Sequence, residues 1–356
     1  MQRRHFQLGA LAAAVLPTAH ARRKPRPPAA PINAPARIKA LRITTGPLTG
    51  GYRIAPGGRL NWYFTNLGLI AIVQYLTTAE LDLYVRRYLD LYLSRLETDL
   101  TIRDVLFNDE TLQNITLVPS DSDNSYVATL LSLMVRYLQA TQNWSWWDAN
   151  KTRIKALAQA GIVNLIKTNG LVRVFQPGNP SPYADFGYMM NNAEDYRGLS
   201  DLSALLYQRG ESADAAYFGS IAAGIGQALQ ILLWDAARSG FKVSDQDLRA
   251  DTDSFYPGST CQVFPQVFGV SECAGYFTPA YRFLNTWSPR WPSLVYDPFP
   301  WCILGTVAAK RGDSTRAMTQ LTATETLFQQ NQALVTINEL GFYQRTRSIL
   351  NGYGDI

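Results

Sequence analysis

A short turn motif recurs along the chain and limits the folds that are open to it. The segment 209–215 (RGESADA) resembles 311–317 (RGDSTRA), and each follows one apolar helical segment and precedes another. In both, glycine suits the end of the first helix, and the acidic or serine residue after it suits the start of the next. The segment 141–148 occupies the same place in an earlier pair. Repeated helical pairs of this kind form either an open solenoid or a closed ring.

Apolar residues recur at helical spacing over most of the chain, and no alternating run is long enough for a main strand. Pairs recur about every 50 residues or more, their lengths vary and the intervening loops are long, which favours a closed ring. We therefore predict an all-α fold, an (α/α)6 barrel with minor short strands at 171–175 and 240–243. The predicted helices are 62–76, 79–98, 125–141, 148–168, 193–209, 212–237, 260–268, 276–287, 299–311, 313–331 and 335–350.

The first 21 residues predict an export signal. Arg3 and Arg4 precede a short apolar run at 8–16, and 19–21 (AHA) offers small residues around a cleavage point. The run is far shorter than the ~20 residues that a membrane span needs, so we expect no membrane span. The paired arginines indicate the twin-arginine route, with an ordinary secretory signal as the alternative. We expect a periplasmic or secreted protein.

Residues 22–40 have the composition of a disordered linker, with six basic residues, none acidic, and many prolines and alanines. The whole chain has 33 basic and 28 acidic residues. Without these six and the two arginines of the signal, 25 basic residues remain against 28 acidic ones. Residues 41–356, which we predict to form a single domain, are therefore slightly acidic. This charge gives no support to nucleic-acid binding.

The absence of histidine restricts the chemistry. His5 and His20 both lie in the predicted signal, so the mature chain retains none. Ser-His-Asp and Cys-His sites, histidine-ligated zinc and imidazole acid–base catalysis are thereby excluded. Proton transfer is left to Asp, Glu, Tyr, Lys and Cys. Cys261 and Cys273 either form a disulfide or remain free, the cysteine spacing matches no zinc site, and we expect no metal and no cofactor.

Acidic residues gather at the predicted starts of the inner helices, which a closed ring brings to one mouth. Helix capping accounts for any one of them, but several like charges on one rim repel unless they are used. Aromatic residues share these loops, and flat rings complement the apolar faces of sugars, although part of them belong to the core. The mouth is therefore predicted to bind carbohydrate. The acids are Asp121, Asp123, Glu194, Asp195, Asp251, Asp253, Asp297 and Glu339.

Several segments resemble bacterial six-hairpin glycosidase-like proteins. The segments 61–68 (NWYFTNLG), 119–130 (PSDSDNSYVATL) and 191–199 (NNAEDYRGL) are similar to the openings of the first three inner helices of that family. The similarity continues through 255–265 and 299–301, and covers essentially 45–345. It implies the six-hairpin barrel and a glycoside hydrolase that cleaves a poly- or oligosaccharide, commonly with inversion. Pro257 and Gly258 depart from the family pattern, which puts the catalytic contribution of that loop in doubt.

Hydrolysis of a glycosidic bond uses two carboxyl groups. Glu194 is the predicted general acid, because Tyr188 and Tyr196 would desolvate it and raise its pKa. Asp121 or Asp123 is the predicted base, kept ionised by the start of the following helix. The side chains expected to contact sugar are Tyr126, Tyr183, Tyr188, Asn192, Tyr196, Tyr256, Gln262, Trp291 and Trp301.

Two other functions remain open on the same fold. A polysaccharide lyase would need a base such as Tyr183 or Tyr256, together with groups that neutralise a uronate carboxylate. A polysaccharide-binding or assembly protein would keep the barrel and have lost turnover. In each case we expect a carbohydrate partner and a monomeric protein.

Overall fold

The computed structural model describes residues 30–355, so the predicted export signal lies outside the described residues. The α-helices are α1 Ala34–Ala40, α2 Trp62–Ile70, α3 Thr78–Glu80, α4 Arg87–Ser94, α5 Asn124–Thr141, α6 Trp144–Gly161, α7 Met189–Gln208, α8 Ser212–Leu233, α9 Phe264–Val267, α10 Phe277–Trp287, α11 Ile303–Lys310, α12 Ser314–Gln330 and α13 Ile337–Leu350. Two π-helical segments, Leu81–Arg86 and Phe255–Ser259, and several short 3₁₀ turns lie between them.

The helices form two concentric layers. Helices α2, α5, α7, α9, α11 and α13 each contact the next, and α13 contacts α2, so the inner ring is closed. Helices α1, α4, α6, α8, α10 and α12 alternate with them along the chain and form the outer layer. The predicted (α/α)6 barrel is confirmed, and its inner helices are those that the repeat indicated.

The turns that lead from inner to outer helices explain the recurring motif. Gln142, Gly210 and Gly312 follow α5, α7 and α11, and all three have positive φ, at 54°, 76° and 74°. A left-handed residue at this position ends a helix and reverses the chain. Asn143 and Asp313 then cap α6 and α12 by accepting hydrogen bonds from backbone amides of the first turn. These short turns lie at one end of the barrel, and the longer loops enter the inner helices at the other end, the mouth.

Two small antiparallel hairpins accompany the barrel. Strands β1 Asp104–Phe107 and β2 Ile115–Val118 pair with Asp104 opposite Val118. The sequence did not predict these strands, which are joined to the start of α2 by a bridge between Leu60 and Val105. Strands β3 Trp234–Asp235 and β4 Gly240–Phe241 form the second hairpin. The predicted strand at 240–243 therefore starts with β4, whereas 171–175 contains only an isolated bridge.

The prediction of a disordered linker at 22–40 is wrong from Ile32 onward. Ile32, Ala34 and Ile38 are buried, and α1 packs against α13. The Ile32 amide donates a hydrogen bond to the Tyr343 hydroxyl at 3.0 Å. The basic and proline-rich composition indicated disorder despite these few apolar side chains. They are enough to order the segment because they pack on the surface of α13.

Helix α8 is the one described helix that is long and apolar enough, by length and composition alone, to cross a membrane. Such a helix is weak evidence for a span, because apolar helices of folded domains meet the same criterion. One face of α8 packs closely against α7, as expected for the outer member of a hairpin.

Gly198 sets the distance between α7 and α5. A Cβ atom added there would lie 2.5 Å from the backbone oxygen of Ala128, which cannot move without shifting α5. We expect Gly198→Ala to lower the free energy of unfolding by roughly 1–3 kcal/mol, measured by urea denaturation.

The matched control is Gly224→Ala on α8, where an added Cβ would have no atom within 4 Å. This variant should gain about 0.5–1 kcal/mol, because alanine favours a helix more than glycine does. Equal stability of the two variants would contradict the close contact between α7 and α5.

Candidate functional site

Side chains from three inner helices meet at the mouth. The Tyr63 hydroxyl of α2 donates a hydrogen bond to Glu194 Oε1 of α7 at 2.5 Å. Helix α5 lies between α2 and α7 in the ring, so this bond reaches across it. The Tyr63 ring stacks on the ring of Tyr126, with 5.9 Å between centroids. Glu194 is only 2 % exposed, so the predicted acid lies inside the mouth and not on its rim.

Asp104 adds a buried carboxyl that the sequence analysis missed. Its Oδ2 atom accepts hydrogen bonds from Asn61 Nδ2 at 2.6 Å and from the Tyr126 hydroxyl at 2.9 Å. Burial, followed by the negative charge of Asp121, raises the pKa of Asp104 to about 7, although Arg59 and the hydrogen bonds from Tyr126 and Asn61 oppose this rise. Near neutral pH this carboxyl is therefore partly protonated.

Asp121 lies next to Asp104 and faces solvent. Its side chain is 29 % exposed, and its Oδ2 atom lies 3.7 Å from Arg59 Nη2. The same guanidinium nitrogen lies 4.0 Å from Asp104 Oδ2. One buried and one partly exposed carboxyl thus share a single arginine, Arg59, which lies just before α2.

A second buried carboxyl lies on the other side of α2. Glu339, in the first turn of α13, is 5 % exposed and accepts a hydrogen bond from the Cys302 amide at 2.6 Å. The pKa of Glu339 is raised to about 7, mainly by burial and to a smaller extent by the charge of Asp297, while the hydrogen bonds from Cys302 oppose this rise. Asp297 is partly exposed and accepts a hydrogen bond from the Phe299 amide. The mouth therefore holds two pairs, each with one buried and one solvent-facing carboxyl.

An aromatic pair forms the wall beside Glu339. The Tyr256 ring stacks on Trp301, with 4.8 Å between centroids and an interplanar angle of 27°. Trp301 has a φ of 50°, which is unfavourable for a residue other than glycine. Its indole Nε1 is buried and has no hydrogen-bond partner among the described residues. These two predicted sugar contacts lie at the loops that enter α9 and α11.

Asp123, the other predicted base, forms hydrogen bonds with the loop at 174–176. Its Oδ2 atom accepts a hydrogen bond from the Gln176 amide at 2.8 Å, and its own amide donates to the Val174 carbonyl at 2.9 Å. Burial raises the pKa of this carboxyl. These hydrogen bonds engage Asp123 with the loop at 174–176, and the assignment of Asp123 as the base stays a prediction.

Two predicted sugar contacts instead fix backbone segments. Asn192 accepts from the Val172 amide at 2.7 Å and donates to the Val172 carbonyl at 3.0 Å. Gln262 does the same with Phe241, at 2.7 Å and 2.8 Å. Both side-chain amides are buried and hydrogen-bonded to the backbone, and the predicted sugar contacts at these two residues stay predictions.

Three predicted aromatic contacts also have other roles. The Tyr126 hydroxyl is buried in the Asp104 network, and Trp291 is buried with its indole donating to Asn285 at 3.0 Å. The Tyr196 hydroxyl lies 2.9 Å from Ser271 Oγ, so it does not shield Glu194. Large aromatic residues often serve the core, as Tyr126 and Trp291 do here, and the sugar contacts predicted at all three residues stay predictions.

Tyr183 and Tyr188 lie together in the loop before α7. The Tyr183 ring packs edge-on against Phe186, and Phe186 contacts the Tyr188 ring at 5.6 Å between centroids. This aromatic segment borders the mouth at the start of α7. The predicted contacts of Tyr183 and Tyr188 with sugar stay predictions.

Asp195 and the cysteines are buried. Asp195 Oδ2 accepts a hydrogen bond from Asn124 at 2.8 Å, while Oδ1 has no partner among the described residues, and burial raises its pKa well above the usual value. Cys261, Cys273 and Cys302 are free thiols. Within residues 30–355, no group of three His, Cys, Asp or Glu side chains has the arrangement of a metal site.

Comparison with known proteins adds evidence on the fold. No protein-family model matches the sequence, and no curated protein matches it. The structure is similar to a rhamnosidase from Klebsiella oxytoca with rhamnose bound, with a TM-score of 0.58 and 15 % identity over 82 % of this chain and 53 % of that one. A GH78 family rhamnosidase of Bacillus sp. GL1 has a TM-score of 0.39 and 18 % identity, over 57 % and 22 % of the two chains. The chain spans about half the length of the Klebsiella protein and shares the helical fold of the part that it matches.

The raised pKa of Asp104 predicts how stability depends on pH. In the unfolded chain this carboxyl loses its proton near its ordinary pKa of 3.8, whereas in the fold it retains the proton up to about 7. Rising pH therefore favours the unfolded state over this interval. In urea denaturation from about pH 5 to about pH 8, we expect the fall in unfolding free energy to be smaller for Asp104→Asn than for the wild type.

Asp109→Asn, at an exposed position of the same hairpin, is the control and should follow the wild-type curve. Parallel curves for the wild type and the Asp104 variant would show that this carboxyl is ionised throughout the interval.

Proposed function

We propose that the chain is a glycoside hydrolase that cleaves a poly- or oligosaccharide at the mouth of the barrel. The observation that carries this proposal is the presence, on either side of α2, of a buried carboxyl with a pKa of about 7 and a solvent-facing carboxylate. Hydrolysis of a glycosidic bond needs one protonated and one ionised carboxyl at the same time. Both forms coexist in this mouth near neutral pH without any histidine.

Asp121 is the proposed base. Its exposed carboxylate, 3.7 Å from the Arg59 guanidinium, can activate a water molecule that enters from solvent. Glu194 and Glu339 are the candidates for the acid: the first bonds to Tyr63, and the second has a pKa of about 7. We propose inversion, for which the acid and the base are set roughly 6.5–9.5 Å apart to admit water.

Three observations guide the choice of substrate and location. The Klebsiella oxytoca neighbour is a rhamnosidase, so a rhamnoside is the first glycoside to test. The export signal predicted at 1–21 supports a periplasmic or secreted enzyme that meets polysaccharides outside the cytoplasm. Tyr256 and Trp301 provide a stacked aromatic surface for a sugar ring.

The acid can be identified by comparing two leaving groups. Glu194→Gln and Glu339→Gln are assayed on an alkyl glycoside and on the matching 4-nitrophenyl glycoside, after a panel has identified the sugar. Loss of the general acid should lower kcat on the alkyl glycoside by roughly 10²–10⁴-fold. The loss on the nitrophenyl glycoside should be much smaller, because 4-nitrophenolate is a good leaving group that departs without being protonated. Asp121→Asn should lower the rate on both.

Glu110→Gln, at an exposed position of the β1–β2 hairpin, is the matched control and should keep wild-type rates. Near-normal turnover of all three mouth variants would remove these catalytic assignments, and no turnover by the wild-type chain on any glycoside of the panel would remove the hydrolase proposal. The anomeric form of the first product, followed by proton nuclear magnetic resonance, tests inversion separately.

The burial of the inner carboxyls favours one alternative, a polysaccharide-binding protein without turnover. Asp104, Glu194 and Glu339 are at most 5 % exposed, so a sugar reaches them only after the mouth rearranges. Retention on an immobilised polysaccharide with no release of reducing ends would support this alternative. New ultraviolet absorbance from an unsaturated product would instead identify a lyase.

A further inference from the structure

A second polar site lies deeper in the barrel. A narrow cavity among the inner helices is lined by Arg136 of α5, Arg197 of α7 and Arg345 of α13, and Glu194 borders it on the side of the mouth. Arg136 lies twelve residues beyond the first residue of α5, which is about 18 Å along the helix at 1.5 Å per residue. Arg136 therefore lies toward the end of the barrel opposite the mouth, and Arg197 lies nearer the middle of α7.

Two of the three arginines already bind carboxylates. Arg345 donates from Nε and Nη2 to the two carboxylate oxygens of Asp355, both at 2.9 Å, and Lys310 Nζ also lies 2.9 Å from Asp355. Burial opposes ionisation of Asp355, but the charges of Arg345 and Lys310 hold its pKa well below the usual value. Arg197 pairs with Asp201 at 2.9 Å. This end of the barrel therefore attracts carboxylate groups from the protein itself.

Arg136 differs from the other two arginines. Among the described residues no carboxylate lies within 4.0 Å of its guanidinium, and its buried Nε has no hydrogen-bond partner. Burial lowers the pKa of Arg136 to about 10, and the positive charges of Arg197 and Arg345 add to this effect. Arg136 is half-buried, and the more distant charges of Asp201 and Asp355 offset this effect only in part. A desolvated guanidinium with no carboxylate in contact is costly, and an anion relieves that cost.

The charges around the cavity do not balance. Four cationic side chains, Lys310 and the three arginines, face two paired carboxylates, Asp201 and Asp355. The Glu194 carboxyl borders the cavity on the other side, but its Oε1 is engaged with Tyr63 of the mouth. An excess of positive charge therefore remains near Arg136.

We propose that this cavity binds a small oxyanion through Arg136, with Arg197 beside it. A guanidinium offers paired N–H donors in one plane, which suits phosphate, sulfate and carboxylate oxygens. The chemistry is shared by inorganic phosphate and by the acid group of a uronic acid. Asp355 occupies the neighbouring part of the same cluster, so its negative charge opposes binding of the added anion.

The test measures binding of inorganic phosphate by the full chain, with chloride at equal ionic strength as the reference. Isothermal titration calorimetry should give saturable phosphate binding, and phosphate should raise the Tm. Arg136→Gln should weaken the affinity at least about tenfold, as expected when a charged donor is lost. Asp355→Asn should strengthen it.

Arg153→Gln on α6 is the matched control, because Arg153 is exposed on the outer layer. Its affinity for phosphate should equal that of the wild type. Circular dichroism confirms that each variant is folded before its affinity is compared.

Three results would overturn the proposal: no phosphate effect beyond that of chloride, equal losses in the Arg136 and Arg153 variants, or unchanged affinity in Arg136→Gln. Sodium glucuronate, titrated in parallel, separates the two sources of the anion. Tighter binding of glucuronate than of phosphate assigns the site to a sugar acid, and the reverse order assigns it to free phosphate. Neither titration depends on catalytic turnover, so failure of the hydrolase proposal would not affect this test.

Discussion

The barrel depends on the contact that closes its ring, where the first inner helix meets the last. A Cβ atom added to Gly68 of α2 would lie 2.8 Å from the Ile337 carbonyl, and one added to Gly341 of α13 would lie 3.1 Å from the Cα atom of Gly68. Two glycines thus allow α2 and α13 to pack backbone against backbone. This contact sets the positions of Tyr63 on α2 and Glu339 on α13, on which the arrangement of the mouth rests.

Most of the helical framework was predictable because the information for it is local. Helical periodicity and the glycine turns at Gly210 and Gly312 depend on neighbouring residues, and they gave the correct order of inner and outer helices. The segment that became α1 was missed because its composition suggests disorder, and its few buried side chains gain their stability from α13. Such a gain depends on a helix some 300 residues away and leaves no local signal.

The site was predictable only in part, for a similar reason. Acids at helix starts led to Asp121, Glu194 and Glu339, whereas Asp104 comes from a short strand that lies outside that pattern. Tyr63 belongs to a segment that is apolar all round, so nothing in the sequence distinguishes it from a core aromatic residue. Asn192 and Gln262 share the polar character of sugar contacts, and the hydrogen bonds that tie them to Val172 and Phe241 join residues 20 and 21 positions apart, which leaves no local signal.

The hydrogen bond between Ile32 and Tyr343 joins residues that are 311 positions apart in the chain. During synthesis, almost the whole polypeptide must leave the ribosome before this bond and the packing of α1 on α13 can form. Helical hairpins assemble early from local contacts, but ring closure is delayed until the last of them is available. The barrel therefore cannot be completed until α13 has been synthesised and has emerged to meet α1 and α2.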